Sequence, residues 1–274
     1  MPLSDTTRDS GRFEPTYRGG EIETAFLLES LTEFYDDQLI SDILFKVKGG
    51  KEANVYACQA GPALTQTGHQ LVAAKLYRPE AFRAMKNDGL YRLGREERSA
   101  EGKAIRDKRA LRAMHKRTRQ GRAMRSASWI HHEYATLQEL LDAGLAVPQP
   151  LAMSERVILM EFIGDNTGAA PTLADMALDP VDARRVFDTL LSDVARMLDA
   201  GHIHGDLSAY NVLCDAGEPV VIDLPQTIDP HTHPQAFTLL SRDIENLCRY
   251  FGKQGVDRDP VGLTTELWER WVQR

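Results

Sequence analysis

The residues best suited to chemistry lie in one run, His202-Ile203-His204-Gly205-Asp206-Leu207-Ser208-Ala209-Tyr210-Asn211, followed by a short hairpin that ends at Asp223. The apolar stretches Val212–Cys214 and Val220–Ile222 flank the turn Asp215-Ala216-Gly217. A tight hairpin sets the ends of its two strands side by side. Asn211 just precedes the first strand and Asp223 just follows the second, so their oxygens converge without help from a distant contact. A carboxylate and an amide at one point, with phosphate oxygens completing the shell, suit octahedral Mg²⁺. Asp206 stands five residues ahead of Asn211 on the intervening loop. There it is placed to accept a proton or orient a hydroxyl, not to hold the metal. An isolated Asp and Asn at this spacing would read as an ordinary polar turn. The second Asp at the far hairpin end is what favours chemistry.

Two further charges are out of place. Lys75 interrupts the apolar strand Val72-Ala73-Ala74-Lys75-Leu76-Tyr77, where it must face solvent or meet an anion. Glu133 sits three residues after Ile130 and four before Leu137, on the apolar stripe of its own helix, and a carboxylate there needs a cation. Alone, each could equally be a snorkelling surface charge. Together they satisfy each other and leave the ammonium facing bound phosphates. The loop Gly49-Gly50-Lys51-Glu52-Ala53-Asn54-Val55 lets backbone N–H groups approach phosphate oxygens, although an ordinary hairpin turn explains it equally well by itself. It is not a Walker-type loop. The apolar run Val157-Ile158-Leu159-Met160-Glu161-Phe162-Ile163-Gly164 leaves its strand into a connector, where free backbone groups could meet an adenine edge. The histidines lack partners at zinc-site spacing. His204 reads as a packed residue shaping its loop, and Trp129, Trp268 and Trp271 read as packing residues.

The elements that must position these groups follow from periodicity. Apolar positions Ile22, Phe26, Leu27, Leu31 and Phe34 predict a helix over 21–39. Strands follow at 43–47, 54–58 and 70–77, the last two joined by the polar loop 61–69. Ile130, Tyr134, Leu137 and Leu141 predict a helix over 129–143, with Ser128 as its cap and Gly144 at its end. Two strands near 149–153 and 156–161 precede a mainly helical half. The order implies an α+β protein of two lobes with a cleft between them. Its parts are a disordered tail over 1–20, an N-terminal lobe over 21–163 and a helical lobe over 164–274.

Composition sets the remaining bounds. The chain has 274 residues, 42% hydrophobic and 27% charged, with no apolar run near the roughly 18–20 residues needed to cross a bilayer. The polar start is not a signal peptide, and three scattered cysteines fit a reducing cytoplasm. The net charge of −7 is unevenly spread. Residues 78–125 hold 16 Lys and Arg against 6 Asp and Glu, a net +10, and the remainder carries −17. The stretch 78–128 therefore reads as a mobile basic insertion beside the cleft. It is a candidate arm for RNA or a ribosomal particle, set against a solvated charged helix or a segment folded onto its own acidic protein. Its Ser99, Thr118, Ser126 and Ser128 are candidate self-phosphorylation sites.

Together, these segments resemble the RIO-type atypical serine/threonine kinases, nearer the first RIO subfamily. GKEANVY at 50–56 is similar to the RIO phosphate loop, MEFIG at 160–164 to the hinge, and HGDLSAYNVL to the catalytic loop. IDLPQTID at 222–229 is similar to the metal-binding segment, and SRDIENLCRYF at 241–251 to the C-terminal helix. The match spans roughly 25–255. Departures from ordinary protein kinases agree with it. Gly205 stands in place of the usual arginine, Asp223-Leu224-Pro225 replaces DFG, and only 17 residues separate Asp223 from Ser241. The resemblance implies a two-lobed protein-kinase-like fold with a reduced C-terminal lobe lacking a full activation segment. It implies ATP with Mg²⁺, or alternatively Mn²⁺, and Asp206 as proton acceptor. Asn211 and Asp223 would be metal ligands, and Lys75, held by Glu133, would meet the phosphates. Gly50, Lys51, Glu52, Val55, Met160, Glu161 and Ile163 would line the nucleotide. It also implies an aspartyl-phosphate at Asp223, hence partial ATPase character. Two other readings stay open: a small-molecule phosphotransferase of the aminoglycoside or choline kinase type, and a catalytically weak RNA- or ribonucleoprotein-binding module.

Overall fold

The computed structural model describes residues 13–50, 52–78, 105, 107–115 and 118–273. Helix α1 (Glu21–Asp36) leads into β1 (Ile40–Gly49), β2 (Ala53–Ala60), the single turn α2 (Pro62–Thr65) and β3 (Leu71–Tyr77). Helices α3 (Lys108–His115) and α4 (Arg119–Asp142) follow, then β4 (Pro150–Met153) and β5 (Val157–Glu161). These five strands form one antiparallel sheet in the order β1-β2-β3-β5-β4. The small hairpin β6 (Gly164–Asp165) and β7 (Gly168–Ala169) leads to the helical half. That half holds α5 (Pro180–Asp199), the hairpin β8 (Val212–Asp215) and β9 (Glu218–Val221), α6 (Ala236–Gly252) and α7 (Pro260–Val272).

Strand alternation splits the sheet into two faces. Val72, Ala74 and Leu76 of β3, with Tyr56 and Cys58 of β2, pack with Leu27, Leu31 and Phe34 of α1. Ala73 and Tyr77 of β3 face a second core that includes Trp129, Ile130, Leu137 and Leu140 of α4 and continues into the helical half. Lys75 lies between Ala73 and Tyr77, so the period of two sends it to this second face. In register it opposes Val55 on one side and Ile158 on the other. The helical half closes around Phe187 and Phe251, whose rings meet edge to face at 5.4 Å. Asp179 caps α5 by accepting from the backbone of Val181 and Asp182, with Pro180 in the first turn. Trp268 and Trp271 pack against the core.

Several sequence expectations shift. Helix α1 ends at Asp36, and Ile22 is 89% exposed, so the buried stripe begins at Leu27. Helix α4 starts at Arg119, ten residues before Trp129. Ser128 is therefore no cap: it is buried inside the helix, as a phosphoacceptor should not be. Leu140, not Leu141, completes the buried face, because 130, 133, 137 and 140 share one side of a 3.6-residue helix. Gly144 does end the helix, with φ +78. Within the expected tail, residues 13–20 make definite contacts. Phe13 is buried and stacks on Tyr35, and the Tyr17 N–H donates to the Ile43 carbonyl. Residues 1–12 lie outside the described residues. So do 79–104, 106 and 116–117 of the basic insertion, including Ser99, while its described 108–115 and 119–128 are helical and Met114 is buried.

Candidate active site

Lys75 is the hub. Its Nζ donates to Glu133 Oε1 and to Asp223 Oδ1, both at 2.6 Å. Glu133 is 2% exposed and arrives from α4, while Asp223, its side chain 45% exposed, rises from the end of β9. One ammonium thus joins the sheet, the long helix and the helical half. Burial alone would depress the Lys75 pKa, but the Asp223 and Glu133 carboxylates outweigh it and hold the ammonium charged. Partial desolvation pulls Asp223 upward, and the Lys75 ammonium overrides it, leaving Asp223 below the usual carboxylate range. Sequence reasoning foresaw the Lys75–Glu133 pair and missed the direct Lys75–Asp223 contact.

The hairpin sets Asn211 and Asp223 at the paired ends of its two strands, as its spacing predicts. Val212 pairs with Val221, and the Ile222 N–H donates to the Asn211 carbonyl at 3.0 Å. At the other end, Ala216 and Gly217 both have positive φ (+48 and +88), as a two-residue type I′ turn requires. The Asn211 Nδ2 donates to the Asp206 carbonyl at 3.0 Å, which turns the amide oxygen to the opposite side. Asp223 adopts φ +67, a left-handed conformation that Asp tolerates better than most residues.

Asp206 is held by its neighbours' backbone chemistry. His204 is buried, and burial lowers its pKa, so it is neutral. Its Nε2–H donates to the Ile222 carbonyl at 3.1 Å and its Nδ1 accepts the Asp206 N–H at 3.3 Å. One imidazole therefore ties the Asp206 loop to the residue before Asp223. Below it, the buried Asp243 of α6 accepts the Gly205 N–H at 2.8 Å and the Leu207 N–H at 2.9 Å. Burial pushes Asp243 up to about 7 against those two bonds. The Arg242 Nη2 donates to the Gly205 carbonyl, and Asn246 Nδ2 to the Leu207 carbonyl at 3.0 Å. These three residues lie some 40 positions beyond the loop they hold. The signal in the sequence was Asp243, placed on the buried apolar face of its helix between Leu240 and Leu247, with Asn246 three residues on.

The remaining candidates surround this centre. Gly50 donates its N–H to the Ala53 carbonyl at 2.9 Å, and a Cβ built there would stand 2.9 Å from that same oxygen, so the turn needs glycine. Burial raises the Glu52 and Asp206 pKa values, and Asp223 adds to both. Two carboxylates thus contact Lys75, Glu52 lies within reach of its charge, and Asp206 stands near Asp223. Met160 opposes Ala73 in the sheet on the face that carries Lys75. Glu161 ends β5, its N–H donating to the Gln149 carbonyl, and the Ile163 carbonyl accepts from Ala170. Lys51 lies outside the described residues. The donor set fits a hard divalent cation: carboxylate and amide oxygens from Asp223 and Asn211, with the Glu52 and Asp206 carboxylates close enough to Asp223 to feel its charge.

An antiparallel sheet whose lysine clasps one carboxylate from a long helix and another from a helical half is the architecture of protein-kinase-like proteins. A family model described as the RIO domain matches residues 65–262. The RIO-type serine/threonine-protein kinase Rio1 of Haloferax volcanii is 33% identical over 79% of this chain and 66% of its own length. The Rio1 of Methanocaldococcus jannaschii is 30% identical over 86% of this chain and 77% of its own. The serine/threonine-protein kinase RIO1 of Chaetomium thermophilum is 34% identical over 80% of this chain, which spans only 41% of that relative. In solved structures, the Rio2 kinase of Chaetomium thermophilum superposes with a TM-score of 0.57 at 19% identity, covering 88% of this chain and 67% of that one. Its ADP/Mg²⁺-phosphoaspartate complex gives 0.58 at 19% identity, over 94% and 81%. The chain belongs to the RIO family.

Proposed function

We propose that this chain binds ATP with Mg²⁺ and transfers the γ-phosphoryl group to a serine or threonine hydroxyl of a protein. The observation that carries the reading is the meeting of Lys75, Glu133 and Asp223 at 2.6 Å contacts beside the Asp206–Asn211 loop. Lys75, charged and fixed by Glu133, would contact nucleotide phosphates. Asn211 and Asp223 would hold Mg²⁺, which when bound neutralises charge on the phosphates. Asp206 would accept the proton of the attacking hydroxyl, and its raised pKa makes it a better base than a free aspartate. Gly50, Glu52 and Val55 would enclose the phosphates from above. The Gln149 and Ala170 bonds leave the Glu161 carbonyl and the Ile163 N–H to meet the adenine edge, with Met160 behind it. The free, buried Cys58, Cys214 and Cys248 fit a reducing cytoplasm.

A second reading concerns ATPase turnover. Asp223 is ionised and partly exposed, and only its Oδ1 is engaged by Lys75. Its Oδ2 could attack the γ-phosphorus as the bond to the β-phosphate oxygen breaks, releasing ADP and leaving an acyl phosphate for water to hydrolyse. The phosphoaspartate of the Rio2 complex supports this reading by likeness.

Asp206→Asn tests the main proposal. It should retain Mg·ATP binding and lose phosphoryl transfer by about 10²–10⁴-fold, the usual span of general-base effects. Full turnover by that variant would refute the assignment. Phosphorylation of aminoglycosides or choline in place of protein would favour a small-molecule phosphotransferase.

A further inference from the structure

Asp223 is the residue on which the metal reading turns, and its backbone sits in a region that needs support from both sides. Upstream, Ile222 supplies that support through Asn211 and His204. Downstream the chain makes a tight turn. The Leu224 carbonyl accepts both the N–H and the hydroxyl of Thr227, at 3.1 and 2.8 Å. Ile228 then exchanges two 2.9 Å backbone bonds with Ile203. Between these anchors the Thr227 carbonyl points at α4, where it lies 2.9 Å from His132 Nε2. A carbonyl only accepts, so that nitrogen carries the proton.

We propose that His132 is a positioning residue for the metal-binding segment. It is the immediate neighbour of Glu133, so adjacent residues of one helix grip Lys75 and the turn behind Asp223. Thr227 is fully buried, so the His132 bond to its carbonyl is made at a site shielded from water. A displacement of α4 would thus loosen both the lysine and the metal ligand. The inference rests on Asp223 as a metal ligand, and it assigns to α4 a second task that the Lys75–Glu133 pair does not require.

The test compares His132→Ala with His132→Gln, whose amide can still donate to the Thr227 carbonyl. In the full chain, Mg²⁺ is titrated against a fluorescent ADP analogue, and amide exchange over 224–228 is followed without nucleotide. His132→Ala should raise the half-saturating Mg²⁺ concentration about three- to tenfold, the worth of one hydrogen bond. It should speed exchange in 224–228 and leave nucleotide affinity in EDTA unchanged. His132→Gln should restore both readouts toward wild type. Unchanged Mg²⁺ dependence and exchange in His132→Ala, or a Gln variant no better than Ala, would overturn the proposal. If the wild type binds no Mg·nucleotide, the kinase reading fails by itself, and the exchange measurement still decides whether His132 holds the turn.

Discussion

Lys75→Met removes the cation that bridges Glu133 and Asp223 while keeping much of the side-chain stem. Breaking a buried ion pair from one side typically costs about 3–5 kcal/mol, because the partner is left charged without compensation. Glu133, 2% exposed, carries that penalty nearly in full. The Asp223 contact adds little, since 45% of its side chain reaches solvent. Proton uptake by Glu133 relieves part of the loss, which leaves about 2–4 kcal/mol. That lies within the roughly 5–15 kcal/mol of a typical domain, so the variant should fold with a melting temperature lowered by about 4–16 °C. The pH dependence has a definite sign. Burial raises the Glu133 pKa even in the wild type, and without Lys75 it rises further. A carboxyl raised in the folded state favours folding below its unfolded pKa, and that contribution is lost as pH climbs through the folded value. Lys75→Met should therefore be least destabilised near pH 5 and most near pH 8. Adding Glu133→Leu should return most of the stability and none of the ATP turnover, because a pair replaced by apolar groups is often neutral or stabilising. Urea melts of the single and double variants at both pH values measure this. A double variant no more stable than Lys75→Met would show that the two side chains are not coupled.

Asp223→Asn should weaken Mg²⁺-dependent nucleotide binding, whereas Asp206→Asn should spare it; equal effects in a binding titration would contradict the division of roles. Asp243 is raised to about 7 by burial, so its contribution to folding fades as pH rises from about 4 to 7. Asp243→Asn should flatten that slope in urea melts while lowering turnover, since one amide oxygen cannot accept both loop N–H groups. From charge alone, the 78–128 stretch should bind RNA weakly, with affinity falling steeply with salt. Neutralising Arg106, Lys108, Arg109, Arg112, Lys116, Arg117 and Arg119 together should abolish that binding and spare basal ATP hydrolysis. Affinity indifferent to salt would refute the arm.

What the sequence made legible were contacts set by local period. Lys75 and Glu133 stood out because each broke an apolar pattern whose period already said which way it faced. Asn211 and Asp223 were legible because a hairpin relates its own ends. Contacts between distant segments were not. Nothing near Asp206 announces that Asp243 holds its loop, and nothing near Phe13 announces the Tyr35 ring beneath it. The start of α4 was hidden for another reason. Residues 119–126 are mostly basic or small, so the helix runs on for two turns without an apolar stripe, and Ser128 then looks like a cap. Leu140 and Leu141 were inseparable by type, and only the helical phase set by the rest of the face chose between them.

The β8–β9 hairpin has a consequence for how such sites diverge. The separation of Asn211 and Asp223 in space is set by strand register, Val212 opposite Val221, and not by the eleven residues of chain between them. Residues added or removed in pairs at Ala216-Gly217 would lengthen or shorten the far end while leaving the near end untouched. A single-residue change would not be so harmless, because it would invert the facing of one strand. The gap between Asn211 and Asp223 can therefore change by even steps, and the outer end of the hairpin is the natural place to graft a reporter or a recognition loop without disturbing the cleft.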